Sequence, residues 1–217
     1  ALGCTEPIAV ALAVAKAVEV LEERNAIIDR LRADFRIEVE VSANILKNGM
    51  GVGIPGTGMV GLFIAAALGA VCGKAGYGLE VLHDLEEHSV ARAKEIVSDR
   101  RVSIRLADTD KKLYIKADVL IEGNDGKEHD GCAVIEDDHD RIVETSFCEE
   151  VLTSAHKTET AEVAQKSTLD YKLTVKEIFE FASSVAYEDI EFILESRTLN
   201  MALAEEGLKG PYGLKVG

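Results

Sequence analysis

Apolar residues follow two different rhythms along this chain. At positions 35–41 they alternate, Phe35, Ile37, Val39 and Val41 on one side and Arg36, Glu38 and Glu40 on the other, and this period of two predicts a strand with one wet face. Residues 5–24 read instead as a helix: Thr5 can cap it, Pro7 fits its first turn, and Ala, Val, Leu and Glu follow densely. Its early turns, 8–15, are apolar on every side, which predicts burial within a core. A polar turn is expected at 42–44. After a glycine-rich loop comes a helix at about 59–71, where Ala65, Ala66, Ala67 and Ala70 allow neighbouring backbones to pack closely. Another helix is expected at about 87–98.

The second half of the pattern is strand-rich. Residues 102–106, 113–121 and 131–135 read as successive strands, with a short one near 141–147, and Gly123-Asn-Asp-Gly126 supplies hairpin chemistry between the second and third. Residues 149–169 show no clean period and predict a linker or a marginal helix. Two further helices are expected at 174–184 and about 187–206, their apolar stripe made of Phe179, Ile190, Ile193, Leu194, Leu199 and Leu203. Helices and strands mixed in this way predict an α/β domain over 1–148, a linker over 149–173 and a helical segment over 174–217.

Composition narrows the functions open to such a chain. Its 217 residues suffice to bury roughly 70% of the surface exposed on unfolding, so a core needs neither disulfide nor metal. A net charge of -15 repels phosphate backbones and anionic headgroups, which argues against nucleic-acid and membrane partners. Cys4, Cys72, Cys132 and Cys148 are too far apart for a zinc pattern or a dithiol motif, so free thiols in a reducing cytoplasm are expected. The uncharged stretch 49–73 is long enough for a bilayer, but glycines and Pro55 in its front half suit a loop better. With no initiator Met and no basic leader, the chain is expected to be a trimmed piece of a longer protein.

Two places can carry chemistry. Cys4 lies just before the first helix, where unpaired N–H groups and the helix dipole favour an anion, so a lowered thiol pKa is expected, opposed in part by the nearby Glu6. The run Asn48-Gly-Met-Gly-Val-Gly-Ile-Pro-Gly-Thr-Gly-Met-Val-Gly61 forgoes so many side chains that something must require bare backbone there. One reading is a nest of N–H groups for a carboxylate or phosphate, the other close packing of two backbones. Gly56, Gly58 and Gly61, with Glu80 beyond, match the dinucleotide fingerprint in form, but no hydrophobic strand leads directly into them. His129, Cys132, His139 and Cys148 fit no standard metal spacing, and the acidic run 136–140 reads as a solvated turn between strands. His83, His88 and His156 are expected at the surface.

Ala1-Leu-Gly-Cys-Thr-Glu-Pro7, Lys47-Asn-Gly-Met-Gly-Val-Gly-Ile-Pro-Gly-Thr-Gly58 and Gly210-Pro-Tyr-Gly213 together resemble the L-cysteine desulfidase family, relatives of the iron–sulfur L-serine dehydratases, across essentially the whole chain. The resemblance implies a pyridoxal-free lyase that converts L-cysteine to sulfide, ammonia and pyruvate on a four-iron, four-sulfur (4Fe-4S) cluster held by three cysteines. It assigns Cys4 as proton acceptor and places the cluster ligands in a later half, so no cluster is expected on this chain alone. Thr5, Glu6, Asn48, Gly49, Gly51, Gly53, Gly56, Thr57 and Gly58 become the expected substrate contacts, Asn48 and Thr57 as side-chain donors. The implied fold is an α+β sandwich, an antiparallel-rich sheet packed with helices as in the N-terminal module of those dehydratases. The implied partners are a small amino-acid substrate and the C-terminal half of the same protein, with a homo-oligomer allowed. An L-serine dehydratase-type lyase, a non-catalytic amino-acid-binding regulatory module and a nicotinamide-dependent oxidoreductase are the rival readings.

Overall fold

The computed structural model describes residues 4–123, 126–155 and 174–210, and the chain divides into two compact units, Ala1–Ala161 and Glu162–Gly217. The first unit is a mixed α/β layer structure. Its six-stranded sheet has the order β4-β1-β5-β6-β7-β8, built from β1 (Arg36–Val41), β4 (Val102–Leu106), β5 (Tyr114–Glu122), β6 (Glu128–Glu136), β7 (Ile142–Phe147) and β8 (Glu150–Ser154). The β1–β4 pairing is parallel; β1–β5, β5–β6, β6–β7 and β7–β8 are antiparallel.

Alternation in β1 and β5 sorts their side chains onto two faces. Ile37, Val39, Val41, Ile115, Ala117, Val119 and Ile121 point into the core with Ala133 and Ile135 of β6. The other face carries charges: Arg105 of β4 pairs across to Glu38 of β1 at 3.0 Å and Glu40 at 3.5 Å, and Lys116 pairs with Asp118 along β5 at 3.1 Å. A small second cluster of Cys132, Val134 and Val143 accompanies these charges.

Helix α1 (Thr5–Glu23) lies across β5, β6 and β7 on the core side, with α3 (Leu62–Cys72) against it and α4 (Glu87–Ser98) beyond α3. Every position from Ala9 to Ala15 is buried, as the all-round apolar pattern requires. Small residues set how closely these elements approach. A methyl group at Gly69 of α3 would meet the Ala11 carbonyl oxygen at 2.4 Å, and one at Gly131 of β6 would meet the Ala17 carbonyl oxygen at 2.3 Å. Arg30 ties the far end of α1 to the end of α3, its guanidinium gripping the Glu22 carboxylate through Nε at 2.6 Å and donating to the Gly73 carbonyl at 2.5 Å.

Three stretches differ from the sequence expectation. Positions 42–44 do not form a turn: Ser42 opens a helix, α2 (Ala43–Gly49), while its hydroxyl donates to the Lys112 carbonyl at 2.9 Å and so fastens β1 to the entry of β5. The glycine-rich segment continues into a two-stranded hairpin, β2 (Gly53–Ile54) against β3 (Met59–Val60), so α3 begins only at Leu62. Strand β8 falls inside the stretch expected to be linker; it extends the sheet by pairing with β7, and its Thr153 hydroxyl meets that of Thr145 at 2.8 Å. The rest of that stretch, 156–173, lies outside the described residues, as does 211–217 with most of the Gly-Pro-Tyr-Gly motif.

The second unit is helical: α5 (Val175–Ser184), α6 (Tyr187–Ile190), a 3-10 turn at Glu191–Ile193 and α7 (Leu194–Lys209). Helix α5 opens on a reciprocal cap in which the Thr174 hydroxyl accepts from the Glu177 N–H at 3.3 Å and the Glu177 carboxylate accepts from the Thr174 N–H at 2.7 Å.

Candidate active site

The buried α1 reaches open space at its first turn, and the candidate site forms there. Cys4 is the residue before the helix, in extended conformation and half-buried. It opens onto a cleft of about 640 Å³ lined also by Thr5 and Ile8 of α1, by Ile54, Pro55 and Gly56 at the tip of the β2–β3 hairpin, and by Leu79, Glu80, Leu82, His83 and Leu85. The last five come from a 3-10 turn at Ala75–Glu80 and the loop after it. Sequence reading missed this wall, because 73–86 has no helical or strand period. Leucines spaced by three at 79, 82 and 85 are the signal that was there to be used.

Behind the thiol sits a hydrogen-bonded carboxylate. Cys4 Sγ donates to Glu6 Oε2 at 2.7 Å, and Asn48 Nδ2, near the end of α2, donates to Glu6 Oε1 at 3.0 Å. The Asn48 carbonyl oxygen lies 4.0 Å from Sγ, at the outer reach of a sulfur contact. These bonds fix three of the expected site residues as one unit.

The electrostatics correct one expectation. Burial, and then the hydrogen bond to Glu6, push the Cys4 thiol above its ordinary pKa; the helix start does not win. A thiol whose proton is held by a carboxylate must break that bond and create a second negative charge beside the first when it ionises. The same contact acts oppositely on Glu6: the thiol and then the Asn48 amide hold its carboxyl below the usual range against the burial that would raise it, with a small contribution from His139 in the β6–β7 turn.

The glycine loop divides into parts with different roles. Gly56, in the left-handed region at φ 79°, is the glycine of this loop that lines the cleft. Gly49 is buried against Leu62, and Gly51, Gly53 and Gly58 have no neighbour within 4 Å of a would-be methyl group. Several N–H groups of the loop are used internally, Val52 on Gly49, Thr57 on Ile54 and Gly61 on Val52. Thr57 does not serve as the side-chain donor expected of it: it is buried, its hydroxyl donates to the Ile54 carbonyl at 2.7 Å and accepts from the Met59 N–H at 2.9 Å, and it does not line the cleft. Asn48 likewise turns its amide to Glu6. The formal dinucleotide glycines, Gly56, Gly58 and Gly61, turn a hairpin and start α3 rather than link a parallel strand to a helix.

The remaining cysteines stand apart from this site. Cys72 lies at the end of α3, Cys148 is exposed after β7, and Cys132 is buried on the far face of the sheet, where desolvation and then Asp118 push its thiol up to about 12. Among the described residues no group of three or more His, Cys, Asp or Glu side chains is arranged to hold a metal ion. The described residues therefore do not offer the ligand set of an iron–sulfur cluster. No helix among the described residues is long and apolar enough to cross a membrane.

No family model and no solved structure matches the chain. Curated relatives do. A UPF0597 protein of Shewanella halifaxensis is 42% identical over an alignment of 219 positions that covers 100% of this chain and 48% of that protein. A UPF0597 protein of Parabacteroides distasonis is 44% identical over 98% of this chain and 46% of its own length, and one of Clostridium perfringens is 38% identical over 99% and 46%. The chain spans about half the length of the curated relatives it matches.

Proposed function

We propose that this chain is the proton-handling part of a cytoplasmic lyase that carries out α,β-elimination on L-cysteine, releasing sulfide and leaving an aminoacrylate that hydrolyses to pyruvate and ammonia. One observation carries the reading: a cysteine sulfur, hydrogen-bonded to the carboxylate of Glu6, lines a cleft large enough for an amino acid. Removing the α-proton of an amino acid requires a base placed within hydrogen-bond reach of it. The Cys4 sulfur is that group, Thr5 and the backbone at Gly56 line the space in which the substrate is oriented, and Glu80 and His83 supply polar groups on the opposite wall. The sequence resemblance supports the same assignment, and it relates the fold to the N-terminal module of the iron–sulfur serine dehydratases. An iron–sulfur cluster belongs to the proposal only as part of the complete protein, on residues outside this chain; relatives about twice as long leave room for them.

The test uses the full-length protein, reconstituted anaerobically with iron and sulfide and assayed for sulfide and pyruvate from L-cysteine and for pyruvate from L-serine. Turnover that falls at least 100-fold in Cys4→Ala is the expected result. Equal turnover by the two proteins removes Cys4 from the mechanism, and preference for L-serine moves the assignment to a dehydratase. The raised thiol favours one rival, a non-catalytic amino-acid-binding module; calorimetric binding of an amino acid with no turnover by any reconstituted preparation selects it.

A further inference from the structure

Glu6 was expected to touch substrate, but its position gives it another task. Both of its oxygens are already engaged, Oε2 by the Cys4 thiol at 2.7 Å and Oε1 by the Asn48 amide at 3.0 Å, and it does not line the cleft that Cys4 and Thr5 line. Held on the side of the thiol and the Asn48 amide and absent from the cleft lining, the carboxylate meets Sγ rather than a molecule in the cleft. We propose that Glu6 is the positioning residue of this site, acting through Cys4: it aims the sulfur and receives the thiol proton, while Asn48 holds Glu6 in the orientation that makes this transfer direct. The inference rests on the lyase reading above and deepens it.

The step balances without a further reactant. As the Cα–H bond of the substrate breaks, its proton bonds to Sγ; the proton that Sγ carried moves to Glu6 Oε2, and the electron pair left on Cα expels the β-substituent. Sulfur gains one proton and loses one, so free thiolate never accumulates, and Glu6 ends as a neutral carboxylic acid. That proton returns to Sγ as the Sγ proton passes to solvent in the open cleft, which restores the carboxylate and the thiol. The arrangement accounts for a base that rests as a thiol: the carboxylate that opposes its ionisation is the group that accepts its proton during the reaction. The other titratable groups facing the pair are His139, from the β6–β7 turn, and Glu80 and His83 across the cleft.

The experiment follows the alkylation rate of Cys4 by iodoacetamide across pH 6–10, read by peptide mass spectrometry so that Cys72, Cys132 and Cys148 are scored separately. Glu6→Gln, which keeps the shape and removes the charge, is expected to lower the midpoint of the Cys4 profile by about one pH unit and to raise its rate at pH 7.5 several-fold to about tenfold. Glu6→Asp keeps the charge and is expected to stay near wild type, and Asn48→Ala to fall between. An unchanged Cys4 midpoint in a Glu6→Gln protein with wild-type circular dichroism overturns the proposal. In the reconstituted full-length protein, Glu6→Gln is expected to lower kcat at least tenfold with KM within twofold; a raised KM with unchanged kcat returns Glu6 to substrate binding and also overturns it. The two levels fail separately. A shifted thiol profile together with full turnover by Cys4→Ala takes Cys4 and Glu6 out of the elimination and overturns the proposal. A shifted profile with no turnover by any reconstituted preparation sinks the lyase reading while the Glu6–Cys4 coupling stands.

Discussion

Gly69 lies where α3 packs on α1, and replacing it with alanine tests whether bare backbone there sets the position of the helix that carries Cys4. The added methyl group would stand 2.4 Å from the Ala11 carbonyl oxygen, 2.9 Å from its Cα and 3.0 Å from its carbonyl carbon. All three are backbone atoms in a stretch of α1 with every residue buried, so no rotamer change relieves the clash. Overpacking of this kind costs about 1–3 kcal/mol, while alanine in place of glycine in a helix returns about 1 kcal/mol. With the clash against backbone atoms placing the cost in the upper part of that range, about 2–3 kcal/mol, the net expectation is a loss of about 1–2 kcal/mol, read by urea unfolding of the whole chain followed by far-ultraviolet circular dichroism. Gly207→Ala in α7, where a methyl group meets nothing within 4 Å, isolates the propensity gain and is expected to raise helicity slightly. If Gly69→Ala proves as stable as wild type or more so, the close approach does not set the α1–α3 spacing and the packing argument is wrong.

Thr57→Val should lower stability by about 1–3 kcal/mol, because it strands the Met59 N–H beside a buried methyl group; Thr57→Ser should recover most of this, and a harmless valine would return Thr57 to the list of substrate donors. Cys132 makes a pH prediction. Its folded pKa of about 12 stands above the ordinary value of 9.0, so the folded state holds the proton more tightly than the unfolded one. Its contribution is complete below pH 9 and is lost as pH rises from there toward 12, by about 1.4 kcal/mol per pH unit in that window. Cys132→Ala should therefore flatten the fall in stability between pH 9 and 10.5 as measured by urea unfolding, and an equally steep fall in the variant refutes the assignment.

Which features could be read from sequence follows from how local their causes are. Helix α4 begins and ends where its pattern says, and β1 alternates as its residues do, because each element's own period decides which face is buried. Helix α1 was legible as a buried helix for the same reason. Strand β8 was not: Glu150–Ser154 is polar, and what makes it a strand is the edge of β7 beside it. The same holds for the 79–85 wall of the cleft, where a 3-10 turn brings Leu79, and the loop after it Leu82 and Leu85, onto the cleft that Cys4 lines without the period of a helix or a strand. At the site, the opposition of Glu6 to a Cys4 thiolate is legible from their spacing, but the place of Asn48 on Glu6 and the outcome of that opposition are not. A helix start alone predicts a lowered thiol pKa, and only the 2.7 Å contact with Glu6, together with the burial of the sulfur, reverses the sign.

The glycines now divide by cause, and the division explains why the thiol stands where it does. At Gly69 and Gly131 bare backbone lets α3 and β6 close on α1 at Ala11 and Ala17, so the helix is clamped along its length and its first turn projects from a rigid core. At Gly61, with φ at 92° and the Met50 carbonyl oxygen only 2.8 Å from a would-be methyl group, the chain reverses tightly enough to begin α3 directly after the hairpin. That reversal sets the hairpin tip, with Pro55 and Gly56, on the cleft that Cys4 lines. One set of glycines therefore fixes the sulfur and another fixes the wall it works against. Groups borne on such elements keep a closer geometry than groups on a free loop can, which is the condition the proposed proton transfer between Cα, Sγ and Glu6 demands.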